Sequence, residues 1–325
     1  MQFFANIQIP DLQPAITYND QIFLTGSCFT EHIGNHLKNV KFNVLQNPNG
    51  ILFDPLSVCS SLVSYIDHKK YREEDLFYLN ESWHSWQHHS RFSHPDKTAC
   101  LQGINASQQQ AHDFLQKSKW LIITLGSAFS YKLSDSRVPV ANCHKAPAQT
   151  FEKHLCSIEE IISAFDLALY RLLQFNPGLH VMFTISPVRH LRDGVVDNNR
   201  SKARLIEAVH HLVNKFDRLY YFPAYELVID VLRDYRFYDI DLAHPNYQAT
   251  AFVLEKFSES CMDTDTQQLA EAFRKISIAK SHRPFNAASE QHRKFLQHYH
   301  ELTSSYSSRF PNLDFSEELA YFAAC

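Results

Sequence analysis

Short continuous apolar runs alternate along this chain with apolar stripes at helical spacing. That is the pattern of parallel strands buried on both faces between amphipathic helices. Gln21-Ile22-Phe23-Leu24-Thr25 reads as a first strand stopping at Gly26, and Phe29, Ile33 and Leu37 mark the helix after it. Phe42, Val44 and Leu45 predict a second strand, closed by Asn47-Pro48-Asn49-Gly50. Asp54-Pro55 then starts a helix, with a carboxylate cap and proline in the first turn, and Val58, Leu62 and Ile66 form its stripe. The third strand, Trp120-Leu121-Ile122-Ile123-Thr124-Leu125, ends at Gly126. Ser157 with Glu160 forms a capping box opening a helix through Ile158, Ile161, Ile162, Phe165, Leu169 and Leu172, which Asn176-Pro177-Gly178 terminates. His180-Val181-Met182-Phe183-Thr184-Ile185 is the fourth strand, stopped by Pro187. Leu205, Val209, Leu212, Val213 and Phe216 predict another helix, and Leu219 to Phe222 a fifth strand. A helix after His244-Pro245, with Ala251, Leu254 and Phe257, completes the unit near residue 262.

The alternation predicts an α/β fold, a three-layer α/β/α sandwich around a parallel sheet, over residues 1–262. Residues 70–118 fit it poorly and read as an insertion carrying a hairpin and loop. Residues 263–325 hold two helix patterns and no strand, broken at Arg283-Pro284-Phe285-Asn286, and read as a helical C-terminal extension packed on the domain or forming a homodimer contact.

Composition narrows the function. The 325 residues are 45% apolar and 20% charged, the balance of a globular protein with a sizeable core. Thirty-one basic against 35 acidic residues give a net charge of −4, the wrong sign for a protein that grips nucleic acid by its phosphates. No apolar run reaches the roughly 18–20 residues of a membrane span. The first basic residue is Lys38, so no positively charged leader is expected. Seven cysteines without a C-x-x-C pair fit free thiols in a reducing cytoplasm, and Cys59, Cys100, Cys156, Cys261 and Cys325 are read as structural or incidental. No cofactor, nucleic-acid or membrane partner is expected.

In open α/β sheets ligands bind beyond the carboxyl ends of the strands. Those ends are Gly26-Ser27-Cys28, Asn49-Gly50, Gly126-Ser127-Ala128, Ser186-Pro187-Val188-Arg189-His190 and the loop from Asp239 to His244. Ser27 and Cys28 fall between a strand and a helix start, where backbone amides and the positive helix end favour a thiolate or an oxyanion. The competing reading is a small buried cysteine beside a capping serine. Asp241 and His244, three apart in the last of these loops, let a carboxylate fold back onto Nδ1 and orient the imidazole as a base.

With those residues in view, "FLTGSCFTEHIG" resembles the signature of the GSCFA family, a bacterial group related to the SGNH (GDSL-type) hydrolases. Similar strings extend over most of the chain: "NPNGILFDP", "WHSWQHHSRFS", "ITLGSAFSY", "VANCHKAP", "SPVRHLRDG" and "YFPAYELVIDVLRDYRFYDIDLAHPN". The resemblance implies an SGNH/flavodoxin-like sandwich and acyl chemistry. It aligns Gly26-Ser27-Cys28 with the Gly-Asp-Ser turn, placing Cys28 at the nucleophile and Ser27 at the Asp position. It aligns Gly50 with the second-block oxyanion glycine and Asp241 with His244 as the terminal pair. The third-block Asn would fall at residue 128, which is Ala128, so Asn142 is the substitute donor considered.

The implied function is an acyl hydrolase or acyltransferase on a small O-acyl ester, sugar- or cell-wall-derived. The alternatives are a non-catalytic carbohydrate- or peptide-binding relative and a histidine-rich metal protein. Gly126, Ser127, His88, His89, His144, Arg189 and His190 are candidate substrate contacts. His84, His88, His89 and His94 lie in an aromatic segment that reads as a lid over the strand ends, as a metal site, or as solvated and core histidines. Arg189 is expected either to hold a substrate anion or to pair with Asp193, Asp239 or Asp241.

Overall fold

The computed structural model describes residues 5–323. Cys325 lies outside the described residues. The five predicted strands are β1 (Gln21–Gly26), β2 (Asn43–Gln46), β5 (Trp120–Leu125), β9 (His180–Ile185) and β10 (Leu219–Phe222). They pair in parallel in the order β10-β9-β5-β1-β2. Each inner strand is apolar on both sides because both faces are covered. Ile22, Leu24, Trp120, Ile122 and Met182 enter one core with α1 (Cys28–Asn39), α7 (Tyr247–Cys261) and α8 (Thr264–Ser281). Phe23, Leu121, Ile123, Val181 and Phe183 enter the other with α2 (Pro55–Ile66), α3 (Lys97–Lys117), α4 (Ile158–Phe175) and α5 (Val195–Lys215). The result is an α/β arrangement around a five-stranded parallel sheet.

The predicted start signals do their expected work. Asp54 accepts the Ser57 amide at 3.0 Å, and Ser157 and Glu160 close a reciprocal capping box. Three regions depart from the sequence reading. Residues 70–118 hold the expected hairpin, β3 (Phe77–Leu79) with β4 (Ser82–His84), but also the 21-residue α3. Its buried stripe is Cys100, Ile104, Gln108, Ala111 and Leu115. A glutamine and small residues on that stripe weaken its apolar period, and Gln108 is tolerated because its Nε2 donates to Ser64 O at 2.6 Å. The second departure is a small antiparallel sheet between Gly126 and Ser157. It orders β6 (Phe129–Leu133) between β7 (Pro139–Val140) and β8 (Phe151–Leu155).

After β10 the short α6 (Ala224–Glu226) runs into a wide helical turn over Leu227–Leu232. The tail forms three helices rather than two: α8, α9 (Glu290–Arg309) and α10 (Ser316–Phe322). Phe273, Ile276, Leu296, Phe315 and Phe322 join the core on the α1 face. No helix among the described residues is long and apolar enough to cross a membrane.

Candidate active site

α1 packs on one face of the sheet and α4 on the other, so the chain diverges beyond the carboxyl ends of β1 and β5, the position at which ligands bind in open α/β sheets. The Ser27-Cys28 turn and Gly126 meet there. Ser27 donates its amide to Thr124 O at 2.9 Å and caps α1 in extended conformation. Its hydroxyl is 1% exposed and has no partner. The Gly126 backbone approaches so closely that a Cβ on it would lie 3.1 Å from Ser27 Cβ. Cys28, the first residue of α1, is half-buried. Burial pushes its thiol up, while its own amide, that of Phe29 and the Lys202 ammonium pull it down and Glu31 opposes them.

Asp241 and His244 form the expected pair. Asp241 Oδ1 accepts the amides of Ala243 (2.9 Å) and His244 (3.0 Å), and Oδ2 takes His244 Nδ1 at 2.6 Å. These bonds, first the His244 amide and then its ring, hold the carboxyl down to about 2. Leu242 turns through positive φ (+58°) to close the loop, and Arg189 N donates to Ala243 O at 3.0 Å, anchoring it beside β9. Both side chains remain about half exposed. His32, one turn along α1 from Cys28, is held down by burial and lies within charge range of Glu31, His244 and Asp239. His190 is pushed down to about 4 by burial, then by Lys202, with Asp193, His244 and Lys153 also acting on it. Its ring meets Phe53 edge-on at 5.7 Å.

Other predicted residues are used differently. The Gly50 N–H donates to Asn47 O at 2.7 Å, so the second-block oxyanion donor is spent on a turn. Asn142 Oδ1 accepts the His144 amide at 2.9 Å, which commits that end of its side chain to the loop. Ser127 is buried, with its hydroxyl accepting from Phe129 N at 3.1 Å. His144 is buried against Ser85 O at 2.8 Å. His89 packs over Gly50 with its amide on Asn49 O at 2.8 Å, so that loop does lie on the β2 strand end. Arg189 does not pair with Asp193, Asp239 or Asp241: its guanidinium lies over Tyr238 at 4.2 Å, and no carboxylate pairs with it among the described residues.

The histidine segment is not assembled as a metal centre. His84 spends both ring nitrogens, on Ser93 Oγ and Leu79 O, and His94 Nδ1 is taken by Asp96 N. Among the described residues, the metal-capable side chains that converge are His154, Cys156 and Glu160, elsewhere on the chain, where Glu160 already serves a capping box.

His88 is sealed between Tyr71 and Phe92, and burial, then Lys69, His144 and Arg91, push it down to about 3. The folded state therefore refuses a proton that the unfolded chain takes below about 6.5. The stability is whole above that pH and is lost as pH falls toward 3. Near pH 5 this one group is expected to cost about 2 kcal/mol. Urea midpoints measured from pH 8 to pH 4 check it, with a shallower decline in His88→Gln.

Sequence reasoning overlooked Lys202. Its ammonium is 1% exposed and donates to Gly126 O and Ser186 O, each at 2.6 Å. The signal was available: reading the Leu205, Val209 and Leu212 stripe backward places Asn198, Ser201 and Lys202 at core positions. Asn47 was overlooked too. Its Oδ1 accepts the Gly26 amide at 2.9 Å, and its buried Nδ2 has no partner.

No curated protein matches the chain. A family model described as the GSCFA family matches residues 21–257, which include both the Ser27-Cys28 turn and the Asp241–His244 pair. A second, described as the GSCFA domain protein C-terminal domain, matches residues 273–325, the helical tail. The first match covers well over half of the sequence, so the chain belongs to the GSCFA family.

Proposed function

We propose that the protein transfers or hydrolyses a small O-acyl group through Cys28 and the Asp241–His244 pair, as an SGNH-like enzyme. The observation that carries this reading is the 2.6 Å bond from His244 Nδ1 to an ionised Asp241, in a half-exposed loop anchored at the carboxyl edge of the sheet. An imidazole so held has Nε2 as its free acceptor. Cys28 is favoured over Ser27 as nucleophile because the thiol is half-buried whereas the serine hydroxyl is sealed.

His244 Nε2 removes the Cys28 proton as sulfur attacks the acyl carbon. The amides of Cys28 and Phe29 at the start of α1 stabilise the oxyanion. Collapse expels the alcohol, which takes its proton from His244, and leaves a thioester. Water or an acceptor alcohol, deprotonated by His244, then releases the acyl group and restores the thiol. A groove of about 750 Å³ lies between α1, α7 and α8, lined in part by His32, Asn35, Tyr247, Glu255 and Gln267.

Iodoacetamide and a fluorophosphonate, followed by peptide mapping, test the nucleophile. The expected result is alkylation of Cys28 with loss of p-nitrophenyl acetate turnover and no fluorophosphonate on Ser27. Turnover that survives full alkylation of Cys28 overturns the mechanism. A second reading is a binding module at the same strand ends, favoured by the spent Gly50 amide and by Ala128 in place of a third-block Asn. Glycan binding that persists in Cys28→Ala and His244→Ala, without turnover in the native protein, would select it.

A further inference from the structure

Three polar side chains occupy core positions in the first half of α5, and each reaches the loop after a central strand. Asn198 Oδ1 accepts the His190 amide at 2.9 Å. Ser201 Oγ accepts the Ala128 amide at 2.7 Å. Lys202 donates to Gly126 O after β5 and to Ser186 O after β9. The first two are ordinary neutral clamps. Lys202 is not, because two carbonyls need only a neutral donor, and a fully buried cation without a carboxylate is costly.

Among the described residues no acidic side chain pairs with Lys202, and the ionisable group that acts on its charge is the Cys28 thiol. The geometry explains the coupling. Gly126 holds the ammonium by its carbonyl on one side and packs against Ser27 on the other, with no side chain of its own to intervene. The Tyr225 ring centre lies 5.9 Å from Nζ, and His190 lies within its charge range. Glu31, on α1, is the acidic group that acts on Cys28.

We propose that Lys202 is a positioning residue for Cys28: its ammonium, pinned behind the Ser27-Cys28 turn by the Gly126 and Ser186 carbonyls, favours the thiolate form of the nucleophile. The inference rests on Cys28 being that nucleophile. Burial opposes the ammonium, pushing Lys202 down to about 7, and the Cys28 charge raises it again, so the lysine holds its proton best when its neighbour is ionised. The two groups then titrate as a pair, in which loss of the thiol proton keeps the lysine protonated.

The test follows Cys28 itself, by mass-spectrometric measurement of iodoacetamide alkylation from pH 5 to pH 10. In Lys202→Met the inflection is expected to rise by about one pH unit, with alkylation at pH 8 slowed about tenfold. Lys202→Arg, which keeps the charge, is expected to lie nearer the native profile. Should Lys202→Met fail to fold, the reverse coupling decides. In Cys28→Ala, the Lys202 Cε resonance of lysine-labelled protein should titrate at lower pH than in the native chain. A folded Lys202→Met with an unchanged alkylation profile, or an unmoved Lys202 titration in Cys28→Ala, overturns the role of Lys202 and leaves Cys28 as the nucleophile. A native Cys28 that never alkylates sinks both.

Discussion

His244→Ala is expected to lower p-nitrophenyl acetate turnover about 10³-fold while leaving the melting temperature unchanged. The two halves have separate physical origins. His244 is half exposed and bonded to Asp241, so truncating it opens no cavity in either core. The chemistry instead loses its proton acceptor, and the thiol, which burial holds above its ordinary range, is left largely protonated near neutrality. Asp241→Asn should lose activity less completely. An amide oxygen still accepts the backbone N–H of Ala243 and His244 but no longer carries the charge that stabilises an imidazolium. Steady-state assays beside thermal melts check both variants. Native turnover in His244→Ala removes the imidazole from the mechanism.

Gly26→Ala is expected to destabilise the fold by about 4 kcal/mol, the strain and overpacking costs combined. At φ +138° the backbone lies where L side chains are rarely found, and a Cβ there would stand 2.1 Å from Thr124 O. That carbonyl belongs to the neighbouring strand and accepts the Ser27 amide, so it cannot yield without moving the turn that carries Cys28. Urea denaturation reads the stability loss. Iodoacetamide labelling of Cys28 at low denaturant should change as well, because the same contact positions the thiol. A variant as stable as the native chain would show that β1 and β5 do not meet this closely.

Legibility differed between framework and site for definite reasons. The five strands and the helices around them were readable because burial on both faces forces unbroken apolar runs such as Trp120–Leu125, and caps such as Asp54 and Ser157 act within one turn. α3 escaped because Gln108 sits on its buried stripe, where its Nε2 donates to Ser64, a partner distant in sequence. The Asp241–His244 pair was legible because its bonds close within three residues. The role of Gly50 was not, since whether its amide is free or spent on Asn47 depends on how the turn closes. The choice between an ion pair and a free guanidinium at Arg189 was hidden for the same kind of reason, because it is Tyr238, across the loop, that lies against it and not a carboxylate.

By itself the amino-acid order determined the layered α/β framework, the places where strands end, and the local Asp241–His244 bond. These depend on periodicity and on contacts a few residues long, which the order of residues states directly. Only the tertiary structure decided which strand ends touch, which hydroxyls and amides are consumed in holding them together, and that a lysine from α5 is buried against the carbonyl of Gly126 behind the Ser27-Cys28 turn. Those outcomes depend on groups far apart in the chain competing for the same few hydrogen-bond partners once water is excluded, and that competition exists only in the folded molecule.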